Sequence, residues 1–370
     1  MSGLDHPVLV CLGGGGVGKT TLAACAAIAA AGRGERAVVL TIDPARRLAS
    51  TLGLEPVGGD RSGGLGSAAA LGNEPTLVPG PWPGELWAAM LDPAATMSAV
   101  LREHGSDEQA DRILTNPLFA TIVGSLSGSN EYLAAERLHQ LHHDPRFDRV
   151  VIDTPPSRHA IDFLQSPDRL SRFLHNRLYQ LVLAPRRGLL RPVSSAAQLI
   201  LRTAAKLVGA DLVDNVIRLF ADAEGLDEGF RRRADETAAL LAGPDCGYVV
   251  ITSPRHEPIR EALWILERLA EQDRAAAAIV VNRLLPYGRQ PTPPPASRRS
   301  ARRRALDANW EELAVLARLE DEAIDKLRGE LPPDLTTITV AERVGATSTV
   351  ADLVELANQL HPGSNGAAGV

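Results

Sequence analysis

Cysteine, lysine, long apolar runs and excess positive charge are all scarce in this 370-residue chain, and each scarcity excludes something. The three cysteines, Cys11, Cys25 and Cys246, show no spacing that suits a disulfide or a metal-binding Cys-x-x-Cys. Small buried thiols in a reducing compartment are the simplest reading. Lysine occurs only at Lys19, Lys206 and Lys326 in a chain that otherwise carries its positive charge on arginine, so a lysine inside a motif is not background. No apolar run reaches the roughly 18 residues of a membrane span, and the first residues lack the basic and apolar regions of a secretory leader. The expectation is a cytoplasmic protein. A net charge of -6 argues against general nucleic-acid binding, which needs a basic excess to neutralise phosphates.

With 45% hydrophobic residues, the chain has enough apolar surface for one large core or two modest ones. Pro7 to Leu12 is a short apolar run ending in glycines, and an Ala-rich, proline-free segment follows from Lys19 to Ala31, which reads as strand, loop, helix. Further short apolar runs lie at Ala37 to Ile42, Leu86 to Leu91, Arg149 to Ile152, Tyr248 to Thr252, Ala278 to Val281 and Thr336 to Val340. Continuous rather than alternating runs suit strands covered on both faces, so the expected fold is α/β: a mostly parallel central sheet flanked by helices.

The glycines at 13 to 16 and 18, with Val17, Lys19 and Thr20, fit G-x-x-x-x-G-K-[ST], placed after the first strand and opening a helix. Glycines let successive backbone N–H groups turn inward around phosphates. The lysine adds a point charge at the β- and γ-phosphates, the hydroxyl of Thr20 suits Mg²⁺, and the helix N-terminus favours the anion. The sequence therefore reads as a P-loop NTPase. Gly14, Gly15, Gly16, Val17, Gly18, Lys19, Thr20 and Thr21 are the expected nucleotide-binding residues. Two acidic residues close strand runs: Asp43 before Pro44, and Asp153 before Thr154-Pro155-Pro156. A carboxylate there can hold a metal-bound water or orient an attacking one, while turn initiation before proline is the structural alternative for either alone.

Elsewhere the composition marks segments of other kinds. Val57 to Gly84 is rich in Gly, Ala and Pro and reads as a loop, and residues 287–304 form a Pro/Arg-rich insertion whose arginines either touch an anionic partner or are simply solvated. Arg169 to Lys206 holds eight basic residues and no acidic one beside apolar clusters. That pattern fits helices meeting an anionic membrane surface or a client helix, and equally a helical subdomain facing its own core. The expected organisation is an ATPase core in 1–165, containing the 57–84 loop and a helical part at 94–143, then an inserted helical subdomain at 166–243. The core resumes at 244–362, and 363–370 forms a disordered tail.

The stretches GGGGVGKTT (Gly13 to Thr21), TIDPARRL (Thr41 to Leu48), DTPPSRHAIDFL (Asp153 to Leu164) and IVVNRL (Ile279 to Leu284) together resemble the arsenical-pump and tail-anchored-protein-targeting ATPases. These are relatives of the division-site and partitioning ATPases with a deviant phosphate loop. The resemblance implies ATP and Mg²⁺ as ligands and a dimer as the working unit. By it, Asp43 is the first-switch aspartate that activates water and, with Lys19, the catalytic pair. Asp153 reaches Mg²⁺ through water, Thr20 binds the metal directly, and His159 is the second-switch histidine. Asn282 reads adenine, and Ala341 to Val344 closes over the base. Guanine-specific relatives carry N-K-x-D, whereas this chain has Asn282-Arg283-Leu284-Leu285, which points to adenine.

The sequence also departs from the family pattern. The family's signature lysine, second in the loop and reaching to the partner's nucleotide, is replaced by Gly14; a glutamate found in relatives after proline is replaced by Arg255, a candidate substitute cation. Neither a zinc nor an arsenite site is supported by the cysteines, and a single P-loop lacks the duplication of pump-driving members. Three readings follow: a homodimeric or heterodimeric ATPase switch working on a membrane-associated client, peripherally membrane-bound or not; a weakly hydrolysing regulatory subunit that activates a lysine-containing paralogue; or a GTPase.

Overall fold

The computed structural model of the chain describes residues 3–42, 47–54, 71–117, 119, 129–174, 218–219, 222, 225–287, 301–343 and 350–360. Asp43, most of the basic segment beyond Arg172, residues 288–300 of the insertion, Val344 and the tail 363–370 lie outside the described residues. The chain divides into two compact units: residues 1–91, 141–161 and 242–370, and residues 92–140 with 162–241.

The first unit is built on an eight-stranded sheet. Its strands are β1 (Val8–Gly13), β2 (Arg36–Thr41), β3 (Thr76–Val78), β4 (Glu85–Met90), β5 (Arg149–Asp153), β6 (Cys246–Thr252), β7 (Ala276–Leu284) and β8 (Thr336–Ala341), in the spatial order β3-β4-β2-β5-β1-β6-β7-β8. All neighbours run parallel except β3, which pairs antiparallel with β4. Every residue of β1, β5 and β6 is buried, which is why these strands read as unbroken apolar runs. The helix α1 (Lys19–Gly32) buries Leu22, Ala23, Ala24, Cys25, Ala27, Ile28, Ala30 and Ala31. Its small side chains let it sit close, and the Cys25 thiol donates to the carbonyl of Leu353 3.5 Å away, in the helix Val350–Gln359. Burial raises the pKa of the Cys25 thiol to about 12 and leaves it inert.

Three expectations are corrected. The stretch 57–84 is not loop throughout: Thr76–Val78 forms the edge strand β3, ordered by pairing with β4 rather than by its own composition. Arg302, Arg303 and Arg304, placed in a Pro/Arg-rich insertion, belong to the long helix Ala301–Glu330, α9 below. Residues 94–143, expected as part of the core, fall mostly in the second unit.

That second unit holds α3 (Pro93–His104), α4 (Asp107–Thr115), most of α5 (Ser129–His142) and of α6 (Ser157–Leu174), and α7 (Leu226–Ala242); the five-residue α2 (Arg47–Thr51) belongs to the first unit. Asp92 accepts a hydrogen bond from Ala95 N (3.0 Å) with Pro93 in the first turn, and Ser106 accepts from Gln109 N (3.2 Å), so side chains start α3 and α4. Leu101, Ala110, Ile113, Leu219 and Leu226 form its apolar centre. Beside it sits a buried polar cluster. Arg233 of α7 reaches Glu103 of α3, lies 2.7 Å from His139 Nδ1, and is 3.6 Å from Glu136 of α5. The Glu136 side chain is 0% exposed, and burial pushes its pKa up to about 7 against the opposing pull of Arg233. After α7 the first unit continues with α8 (His256–Ala270), α9 (Ala301–Glu330) and α10 (Val350–Gln359).

Candidate functional site

The C-terminal ends of the parallel strands converge where the order reverses around β1, the place at which open α/β sheets present their ligand sites. There β1 runs into the glycine loop and then α1. Gly18 stands at the N-cap of α1 with φ 94°, a left-handed conformation, and a Cβ built on it would run into the Asn282 amide. Glycine is therefore required twice over. Gly18→Ala is expected to lower stability by about 1–3 kcal/mol and to weaken nucleotide binding by displacing Asn282, as thermal melts and calorimetry will show.

Gly15, Gly16, Gly18, Lys19, Thr20, Thr21, Arg47, Thr51, Thr154, Pro156 and Arg283 line a cleft of about 200 Å³. Lys19 is only 8% exposed, and its Nζ donates to the carbonyl of Gly14 at 2.7 Å, so the ammonium is held folded over the loop. Thr20 lies in the first turn of α1. Asp153, 1% exposed at the end of β5, accepts from Thr41 Oγ1 at 3.0 Å through Oδ2, tying β5 to β2. The Thr154 hydroxyl donates to the carbonyl of Cys11 at 2.6 Å. Cys11 pairs with Asp153 across the ladder, and its thiol is raised first by burial and then by that carboxylate, while the Lys19 charge opposes the shift. Ammonium and carboxylate thus act on one spot at the end of β1.

Of the residues expected from sequence, Gly15, Gly16, Gly18, Lys19, Thr20 and Thr21 face the cleft. Gly14 and Val17 are buried behind them. Asn282, 9% exposed, donates from Nδ2 to the carbonyl of Val17 at 2.8 Å and so braces the loop from β7. His159 is exposed in the first turn of α6. Arg255 is exposed at the N-cap of α8, and the arginines that do line the cleft are Arg47 and Arg283. Both stand in the motif stretches, yet nothing in their spacing marks them as site residues. The Ser157 hydroxyl contacts the Glu261 carboxylate, and a Cβ on Gly14 would meet that same carboxylate; α8 closes over the second loop position in a way that spacing does not reveal.

The oxygen donors present, a threonine hydroxyl and a buried carboxylate, are hard ligands that fit Mg²⁺ rather than a soft metal. Among the described residues no group of three or more His, Cys, Asp and Glu is arranged to hold a metal. No described helix is long and apolar enough to cross a membrane.

A family model for anion-transporting ATPases matches residues 6–315, most of the chain. The chain belongs to the anion-transporting ATPase family. It is 27% identical over 278 residues to an ATPase ASNA1 homolog of Babesia bovis, covering 74% of this chain and 65% of that protein, which is under two thirds of its length. It is 24% identical over 284 residues to ATPase GET3 of Kluyveromyces lactis, with 74% and 70% covered. To ATPase GET3C of Arabidopsis thaliana it is 25% identical over 339 residues, with 86% and 78% covered. The glycine loop and Lys19 fall inside the matched region.

Proposed function

We propose that this chain is a Mg²⁺-dependent ATPase that works as a nucleotide switch in a dimer. The observation that carries the reading is the buried Lys19 ammonium held 2.7 Å from Gly14 O, over a glycine loop that opens into α1. In this reading Lys19 exchanges the Gly14 carbonyl for phosphate oxygens when nucleotide enters. The N–H groups of the loop and of the first turn of α1 surround the polyphosphate. Thr20 and Asp153 would hold the metal, which when bound would offset phosphate charge. Asp43 orients the attacking water, and Asn282 reads the adenine while it braces the loop. His159, on the exposed start of α6, belongs to the segment that responds to the γ-phosphate. Hydrolysis then drives a change of dimer state coupled to a membrane-associated client.

A second reading, a weakly hydrolysing subunit that activates a lysine-containing paralogue, is favoured by Gly14 and by the Glu261 carboxylate packed against it. Asp43→Asn separates the two. Under the first reading, phosphate release falls by at least about 100-fold while Mg·ATP still binds. Unchanged turnover in this variant would exclude Asp43 as the group acting on water, and intact complex function without turnover would favour the regulatory subunit.

A further inference from the structure

The second position of the loop is not a gap waiting for a lysine. Gly14 is buried, and the Glu261 carboxylate, joined to the Ser157 hydroxyl, stands where a side chain at 14 would begin. Gly14 itself carries no charge, so a further cation for the phosphates has to come from another residue.

Arg283 meets the requirement. It lies at the end of β7 directly after Asn282, is exposed, and lines the same cleft as Lys19, Thr20 and the loop glycines. Its backbone has φ 63°, the left-handed region that a long side chain rarely adopts, at a point where the β7–β8 register shifts between Val281 and Leu284. The strained conformation takes the residue out of the regular ladder, and strain of this kind collects at ligand sites. Among the described residues its guanidinium has neither an ion-pair nor a hydrogen-bond partner, whereas Arg47, the other arginine of the cleft, does not stand free. Arginine keeps its charge at any working pH and offers a fork of donors matched to phosphate oxygens.

We infer that Arg283 is a nucleotide-contacting residue that supplies, within one subunit, the second cation on the polyphosphate, in place of a lysine at position 14. This rests on the ATP reading of the site given above. It makes the subunit's phosphate site complete without a charge at loop position two, and it assigns the residue following the adenine-reading asparagine to the phosphates rather than to the base.

The test measures binding of Mg·ATP and of adenosine to the wild type, Lys19→Ala, Arg283→Asn and Arg283→Lys. Asparagine tolerates the left-handed backbone, so Arg283→Asn removes charge without adding strain. The expected result is a loss of ATP affinity of about 10- to 100-fold in Arg283→Asn, adenosine affinity unchanged, and partial recovery of ATP affinity in Arg283→Lys. Equal losses for ATP and adenosine, or recovery absent in Arg283→Lys, would assign Arg283 to the base or to the scaffold and overturn the inference. So would wild-type ATP affinity in Arg283→Asn; with Lys19→Ala still impaired, that outcome leaves the ATP reading standing. If the wild type itself binds no Mg·ATP, both fall.

Discussion

Lys19→Ala is expected to lower the ATP hydrolysis rate by about 100-fold or more while leaving the fold intact. Lys19 is 8% exposed and sits in a site lined by the glycine loop, so no solvent cation can replace its charge as charge develops on the phosphates. Its Nζ donates to the Gly14 carbonyl, 2.7 Å away, and losing that bond alone removes little stability. Lys19→Arg is expected to restore only a small part of the rate, because a planar fork on a longer stem does not fit where a compact ammonium folds back over the loop. Steady-state phosphate release and a thermal melt on the same samples decide the matter. A variant that melts like the wild type and hydrolyses ATP at the wild-type rate would remove Lys19 from the mechanism.

The second large effect is on stability and lies in the helical unit. Arg233→Ala removes the cation that Glu103, Glu136 and His139 share, leaving Glu136 buried without its counter-charge. Breaking a buried pair from one side is expected to cost about 3–5 kcal/mol. The cost depends on pH. Glu136 has a folded-state pKa raised from 4.5 to about 7, by burial first, so between those values the folded unit keeps a proton that the unfolded chain has lost. Stability therefore falls as pH rises from about 4.5 to about 7 and is then flat with respect to this group. Without Arg233 the pKa rises further, so the variant is least stable relative to wild type above neutrality. Glu136→Gln, which keeps the shape and removes the charge, is expected to flatten that dependence. Amide hydrogen exchange in α3, α5 and α7 reports this unit separately from the sheet. A profile identical in wild type and Glu136→Gln would refute the assignment.

The parallel sheet was legible because strands covered on both faces are written as unbroken apolar runs: Val8 to Leu12, Ala37 to Leu40 and Val150 to Ile152 can hardly be anything else once glycines and helices separate them. Strand β3 was not, because three residues in a Gly- and Pro-rich stretch become a strand only through pairing with β4. The grouping of 92–140 with 162–241 is likewise invisible to composition, since it rests on packing between helices distant in sequence. Within the site, the loop and its lysine are specified by local chemistry and so could be read directly. Glu261 against Gly14, and Arg283 with its left-handed backbone, are products of tertiary geometry. Arg255 followed proline in the way that a substitute cation was expected to, yet the end of β7, not the start of α8, brings an arginine to the cleft.

The most direct test of the central claim is a calorimetric titration of the folded wild-type chain with Mg·ATP and, separately, with Mg·GTP. The account predicts saturable binding of about one Mg·ATP per chain, weaker binding of Mg·GTP, and loss of the ATP heat in Lys19→Ala. No heat with Mg·ATP, or binding indifferent to the loss of Lys19, would contradict it.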